Sequence, residues 1–226
     1  MPLCPTAPPL PSRSFHPAAP PPPLERPGWR CRAYRGVVDR AIGWPPTAHS
    51  GRVACLAGAV AQTLGLGPAQ IREAYLAGLL HDSGKLLVSG RVRRKTGPLD
   101  PREWRQMQRH PVYSAGLSRL LPGLPPTVWQ AVRHHHERLD GSGYPDRLAG
   151  DAVPLLARIL AACDVYDALS SPRTYKAAWA PDAVWAELTA LAGRHFDPEV
   201  LAALRRCVPE GAAPAYPRKS RPSTPQ

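Results

Sequence analysis

Imidazoles and carboxylates set into otherwise apolar helical runs are what most restricts this chain. His81 and Asp82 close the apolar run at residues 74–80, and Asp164 interrupts a longer one at 153–169. A charged group inside an apolar helix costs several kcal/mol unless it is paired or bound. His49, His110, His135 and His136 stand on other helical segments or at their ends. Ligands of these two types, dispersed over several helices, are what a buried site for two divalent ions requires. An adjacent His-Asp pair can give its imidazole to one ion while the carboxylate spans both. The alternative for Asp164 is an ion pair with Arg158 or Arg173, and Asp167 suits a supporting bond rather than a ligand. His134 is ambiguous, because neighbours on a helix point about 100° apart and three in a row cannot all face inward. His195, before Phe196-Asp197-Pro198, reads as part of a helix connection.

Apolar residues recur at helical spacing through most of the sequence, and strand-like alternation is scarce. The pattern predicts an all-α helical bundle with helices at 49–64, 68–80, 153–169, 182–192 and 198–206. Asp100-Pro101-x-Glu103 is a helix start, opening a helix expected to run through His110 towards Leu121, kinked just after the histidine by Pro111. Thr127 is expected to cap the helix that carries the His134-His135-His136-Glu137 cluster.

Thirty prolines are unevenly placed. Residues 1–28 and 208–226 are rich in Pro, Ala or Ser with no apolar periodicity, and are expected to be disordered. That leaves one domain at 29–207. No stretch is apolar for long enough to span a membrane, and prolines break any signal-like region near the N-terminus. The five cysteines form no C-x-x-C pair, so a disulfide framework or structural zinc site is not expected. A cytoplasmic protein follows as the expectation. The net charge of +12 points either to an anionic partner or to a solvated basic surface. The cluster Arg91-Val-Arg93-Arg94-Lys95 is close enough in sequence to overhang the His81-Asp82 pair. No helix-turn-helix or zinc-finger pattern is present, so specific DNA binding is not expected.

Taken together, the motifs resemble the HD-GYP family of metal-dependent phosphohydrolases. The likeness runs over residues 46–204. It rests on His49-Ser-x-Arg52-Val53, His81-Asp82-x-Gly84-Lys85, His110-Pro111, and His135-His136-Glu137-x-x-Asp140-Gly-x-Gly143-Tyr144-Pro145. It continues through Asp164-Val-Tyr-Asp167 and Arg173-x-Tyr175-Lys176.

The resemblance implies an HD-domain bundle with a buried dinuclear centre of iron or manganese that hydrolyses cyclic di-GMP in bacterial signalling. By position, His49, His81, Asp82 and Asp164 would hold one ion. Asp82 would bridge to a second, completed by His110, His135 and His136. A metal-bridging hydroxide would attack phosphorus, and Lys85 would neutralise phosphoryl charge or protonate the leaving oxygen; its alternative is a lysine complementing a helix C-terminus. Arg173, Tyr175 and Lys176 would meet the dinucleotide. Gly143, Tyr144 and Pro145 would line the mouth of the site or dock a diguanylate cyclase. Relatives with a third ion carry a glutamate where this chain has Pro45. Two ions and a linear pGpG product, with GMP as a further product left open, are therefore expected. Other readings are a different cyclic dinucleotide or nucleotide as substrate, or a non-catalytic module that binds the dinucleotide or a cyclase. No receiver or sensor domain is recognised in the sequence, so control is expected from expression, metal supply or a partner.

Overall fold

The computed structural model describes residues 48–172 and 177–208. The expected disordered segment at 1–28, Pro45, and the Arg173, Tyr175 and Lys176 block lie outside the described residues, as does the tail beyond Val208. Among the described residues the architecture is all-α, as the periodicity requires. The helices are α1 (Ala48–Thr63), α2 (Pro68–Leu80), a short α3 (Gly90–Arg93), α4 (Pro101–Met107), α5 (His110–Arg119), α6 (Pro126–His134), α7 (Leu155–Ser170), α8 (Pro181–Ala190) and α9 (Pro198–Cys207). None of them is long and apolar enough to cross a membrane.

The core is built where α1, α2, α6, α7 and α9 pack together, with Val53, Val60, Leu80, Val132, Ile159, Leu160 and Leu204 essentially inaccessible. Each such aliphatic side chain contributes roughly 1.5–3 kcal/mol through burial. Helix α7 is apolar on nearly every face because it runs through the middle of the bundle, so Asp164 and Asp167 enter the interior from its C-terminal half. Val208 is buried and joins the core, one residue past the expected domain end.

Several helix boundaries differ from expectation, the helix expected to carry the 134–137 cluster among them, since it ends at His134, and two of the differences arise at proline. The chain does not run as one kinked helix through His110. It breaks before the histidine, α4 ending at Met107 and α5 opening at His110 with Pro111 in its first turn. In a continuous helix the Pro111 ring would clash with the Met107 carbonyl four residues earlier. Here that carbonyl instead accepts the Nδ1 proton of His110 at 2.8 Å. Thr127 is not a cap. The helix begins one residue earlier, with Pro125 at the cap position and Pro126 in its first turn, so Thr127 already lies inside it. The Thr127 hydroxyl instead donates to Glu73 Oε2 across to α2 at 2.7 Å. The Asp100–Glu103 start is a full capping box, as the sequence indicates, and Glu103 also binds Lys95 at 2.5 Å.

Candidate metal centre

Three histidines at helix boundaries share one local device. His81 follows the last turn of α2, His110 follows α4, and His135 follows α6. Carbonyls at helix ends lack an intrahelical donor, and each of these imidazoles donates its Nδ1 proton to the carbonyl three residues earlier. The acceptors are Gly78 at 2.8 Å, Met107 at 2.8 Å and Val132 at 2.7 Å. A carbonyl only accepts, so Nδ1 carries a proton and the Nε2 atom of each ring is directed inward. This is how proteins fix the tautomer of a ligating histidine.

Two of those Nε2 atoms converge on Asp82. His81 Nε2 lies 3.4 Å from Asp82 Oδ2, and His110 Nε2 lies 3.4 Å from Oδ1. One carboxylate therefore faces two imidazole groups, an oxygen to each. On one side, Asp164 Oδ1 stands 3.0 Å from His49 Nε2 and 3.8 Å from His81 Nε2. On the other, His110 and His135 Nε2 are 3.4 Å apart, and the His136 ring packs on His135 with centroids 4.1 Å apart. The ligand atoms group as His49, His81 and Asp82; as His81, His135 and Asp164; and as His110, His135 and His136, each set within 4.8 Å.

The electrostatics fit divalent cations. Burial lowers the pKa of His110 to about 4 and that of His136 to about 3, and pushes His135 down as well. All three are neutral imidazoles at neutral pH, the form that coordinates. Burial would raise the pKa of Asp82, but the charges of His81 and Lys85 outweigh it and hold the carboxyl well below the usual range. The same contest, won by His49 and His81, keeps Asp164 ionised. Two histidines depart from this pattern: burial opposes charge on His81, yet the charge and hydrogen bond of Asp82 raise its pKa, and His49 behaves likewise. Burial opposes the charge of His49, yet hydrogen bonds to Asp164 and Asp167 and the charge of Asp82 raise its pKa to about 9. Carboxylates are gathered here to a degree that calls for positive charge. His81 Nε2 and Asp82 Oδ1 are buried without a hydrogen-bond partner, and both point into the cluster. Buried polar atoms of that kind are costly unless something binds them, and imidazole plus carboxylate is a donor set for divalent ions.

Behind His49, Asp167 accepts from its Nδ1 at 2.6 Å and is clamped by the Arg52 guanidinium, Nε to Oδ1 at 2.6 Å and Nη2 to Oδ2 at 2.8 Å. The supporting bond anticipated for Asp167 is thus present. Arg158, considered as a partner for Asp164, bonds Asp151 and Asp197 instead. His134 turns outward to Asp146 at 2.9 Å, which resolves its ambiguity, and His195 faces Asp140. Lys85 donates to Asp82 Oδ2 at 2.7 Å, and its carbonyl accepts from Arg93, a contact that ties the basic 91–95 cluster to the site.

The loop at 141–147 closes one side. Tyr144 packs on the His136 ring at 4.8 Å between centroids, and Trp104 stands behind it at 6.2 Å. Burial and the nearby Asp164 and Asp82 push the Tyr144 phenol up, so it stays a neutral donor. Gly143 makes this placement possible. A Cβ there would lie 2.5 Å from the Glu137 Cα and 2.6 Å from both the Arg138 nitrogen and the His136 carbonyl oxygen. Glu137, buried, pins the far end of the loop by accepting from the Asp146 N–H at 2.6 Å and the Leu148 N–H at 3.2 Å. Residue pattern alone does not disclose the roles of Glu137 and Trp104. An acid directly after two site histidines is the available signal for the first; an exposed tryptophan on a short helix gives none for the second.

The family model described as HD domain matches residues 43–200. The chain is 45% identical over 159 residues to the cyclic di-GMP phosphodiesterase response regulator RpfG of Xanthomonas campestris pv. campestris, covering 69% of this chain and 41% of that protein. It is 39% identical over 155 residues to 3'3'-cGAMP-specific phosphodiesterase 2 of Vibrio cholerae, covering 68% and 30%. The chain belongs to the HD-domain family, in its HD-GYP branch. It spans less than half the length of these relatives. Among solved structures, a cyclic GMP-AMP phosphodiesterase of V. cholerae superposes with a TM-score of 0.56 at 18% identity, over 72% of this chain and 44% of that one. Bd1817, an HD-GYP-type protein of Bdellovibrio bacteriovorus, gives 0.58 at 21%, over 70% and 51%. These two establish the fold.

Proposed function

We propose that this chain is a metal-dependent phosphodiesterase of cyclic dinucleotides, cyclic di-GMP first among them, acting in the cytoplasm. The observation that carries this reading is Asp82, whose two oxygens face His81 and His110 on opposite sides. His49, His81, Asp82 and Asp164 would hold one divalent ion, and Asp82, His110, His135 and His136 a second, iron or manganese. Such ions supply Lewis acidity and lower the pKa of water from 15.7 towards about 7.

The remaining work falls to side chains. Hydrolysis breaks one P–O3′ ester bond and leaves a 5′-phosphate and a 3′-hydroxyl on a linear pGpG. The departing oxygen needs a proton or a positive neighbour, and Lys85 would give either, a role that its contact with Asp82 supports. Arg173 and Lys176 would bind the phosphates and guanines, with Tyr175 beside them. Tyr144, held against His136 by the Gly143 turn and followed by Pro145, offers a flat face to a base. Asp167 and Arg52 keep His49 turned inward. The Pro45 substitution supports two ions rather than three, with the linear dinucleotide as the principal product.

Two outcomes test these roles. Asp167→Asn weakens metal binding by about 10–100-fold, the usual cost of losing a partner behind a ligating histidine; titration with Mn²⁺ reads it, and unchanged affinity would remove Asp167 from the account. Arg173→Ala raises KM while metal content stays at two per chain, and loss of metal in that variant would contradict its assignment. A second substrate, 3'3'-cGAMP, is favoured by the relatives that carry that specificity in their names; parallel assays of the two dinucleotides decide which is preferred. The loop at 141–147, carried on the surface beside the centre, is also the place for a diguanylate cyclase to dock.

A further inference from the structure

On the far side of the Tyr144 loop lies a cleft of about 530 Å³ that contains none of the metal-site histidines or carboxylates. Its walls are the end of α4 and the turn that leads into α5, which contribute Arg105, Gln108 and Arg109, and the loop, which contributes Tyr144, Pro145 and Arg147. The volume is within the usual small-ligand range of roughly 300–1,000 Å³. Three exposed arginines line this one cleft, and an anion between them would relieve their mutual repulsion.

No carboxylate of this chain answers them among the described residues. The loop segment has two acids near the cleft, and both are committed elsewhere. Asp146 is held by Arg133 at 2.6 and 2.7 Å and by His134, and Asp140 caps Ser142 and faces Arg194 and His195. Arg147 sits in the left-handed backbone region at φ 55°, an unfavourable conformation for a non-glycine residue that surrounding structure must enforce. Glu137 enforces it, gripping the N–H groups on either side of Arg147, at Asp146 and Leu148. The pinned backbone fixes the point from which the exposed Arg147 side chain leaves the loop.

We infer that this cleft is a second ligand site, for the terminal phosphate of a nucleotide. The guanidinium groups match a phosphate dianion, while Tyr144 and Pro145 supply an apolar wall for the nucleoside. The inference goes beyond the hydrolytic reading and does not depend on it. Tyr144 belongs to both places, since it lines the cleft and packs on His136, so a ligand here bears directly on the wall of the metal centre.

The test is calorimetric titration of the full chain with GMP, in the wild type and in Asp82→Asn, so that binding at the centre is separated from binding in the cleft. Saturable binding is expected in both. Arg109→Ser and Arg147→Ser, at exposed positions, each weaken it by about tenfold or more, the size of one lost charge-assisted contact. Arg147→Lys recovers part of the loss, and guanosine, lacking the phosphate, does not bind. The inference is overturned if GMP does not saturate Asp82→Asn, if guanosine binds as well as GMP, or if the arginine variants bind GMP as tightly as the parent.

Discussion

Replacing Asp82 with alanine abolishes turnover and empties the centre, while the helical fold survives. Asp82 is the side chain that addresses both halves of the cluster, with Oδ2 towards His81 and Lys85 and Oδ1 towards His110. Losing a partner behind a ligand costs about 10–100-fold in metal affinity or activity, and losing a ligand shared by two ions exceeds that range. The helix that presents it ends at Leu80, and the buried packing of α2 does not involve its carboxylate, so circular dichroism of the variant matches the parent. Metal analysis after gel filtration is expected to fall from two ions per chain to below one. Asp82→Asn separates charge from shape: it keeps the side-chain volume and is expected to fail in the same way. An Asp82→Ala chain with full metal content and full activity would refute the dinuclear arrangement.

Gly143→Ala carries the second large effect, and on a different quantity. The atoms its Cβ would meet are backbone of residues 136–138 at 2.5–2.6 Å, well inside any normal contact, and they belong to the segment that carries His135 and His136. Neither side can yield without moving a site histidine or the loop. Overpacking of this kind costs about 1–3 kcal/mol, which for a domain of this size lowers Tm by about 2–4 °C for each kcal/mol. Tyr144 is displaced from His136 as the loop lifts, so KM rises more than metal affinity falls. Gly116, on the exposed face of α5, is the control, because a Cβ there would meet no neighbouring atom within 4 Å. Gly116→Ala is expected to hold or slightly raise Tm, because alanine is favoured in a helix interior. Equal Tm for Gly143→Ala and the parent would show that the loop is not pressed against this segment.

What the sequence discloses and what it conceals follow from the range of the interactions. His81, Asp82 and Asp164 are legible because charge in an apolar helical run is expensive enough to demand an explanation from local pattern alone. The all-α architecture is legible through its periodicity, which is equally local. The break before His110 is not. A proline's effect depends on whether the chain continues or restarts around it; here the Pro111 ring would clash with the Met107 carbonyl in a continuous helix, and the restart leaves that carbonyl to accept from the His110 imidazole. Thr127 has the composition of a cap, but the helix starts at Pro126 and leaves Thr127 inside its first turn, where its hydroxyl meets Glu73, 54 residues away in sequence. Glu137 and Arg147 act through backbone N–H groups and a backbone dihedral, so spacing marks Glu137 only by its place after two histidines and does not mark Arg147. The ion pair weighed for Asp164 with Arg158 fails on geometry, since Arg158 is drawn to the turn before α7 and to Asp197.

The most direct test of the central claim uses chain purified without oxygen and reconstituted separately with Mn²⁺ and Fe²⁺. Each preparation is incubated with cyclic di-GMP, and the products are separated by chromatography. Two ions per chain and accumulation of linear pGpG, with little GMP, are the predicted result. Intact cyclic di-GMP in a chain that demonstrably holds both ions would contradict it.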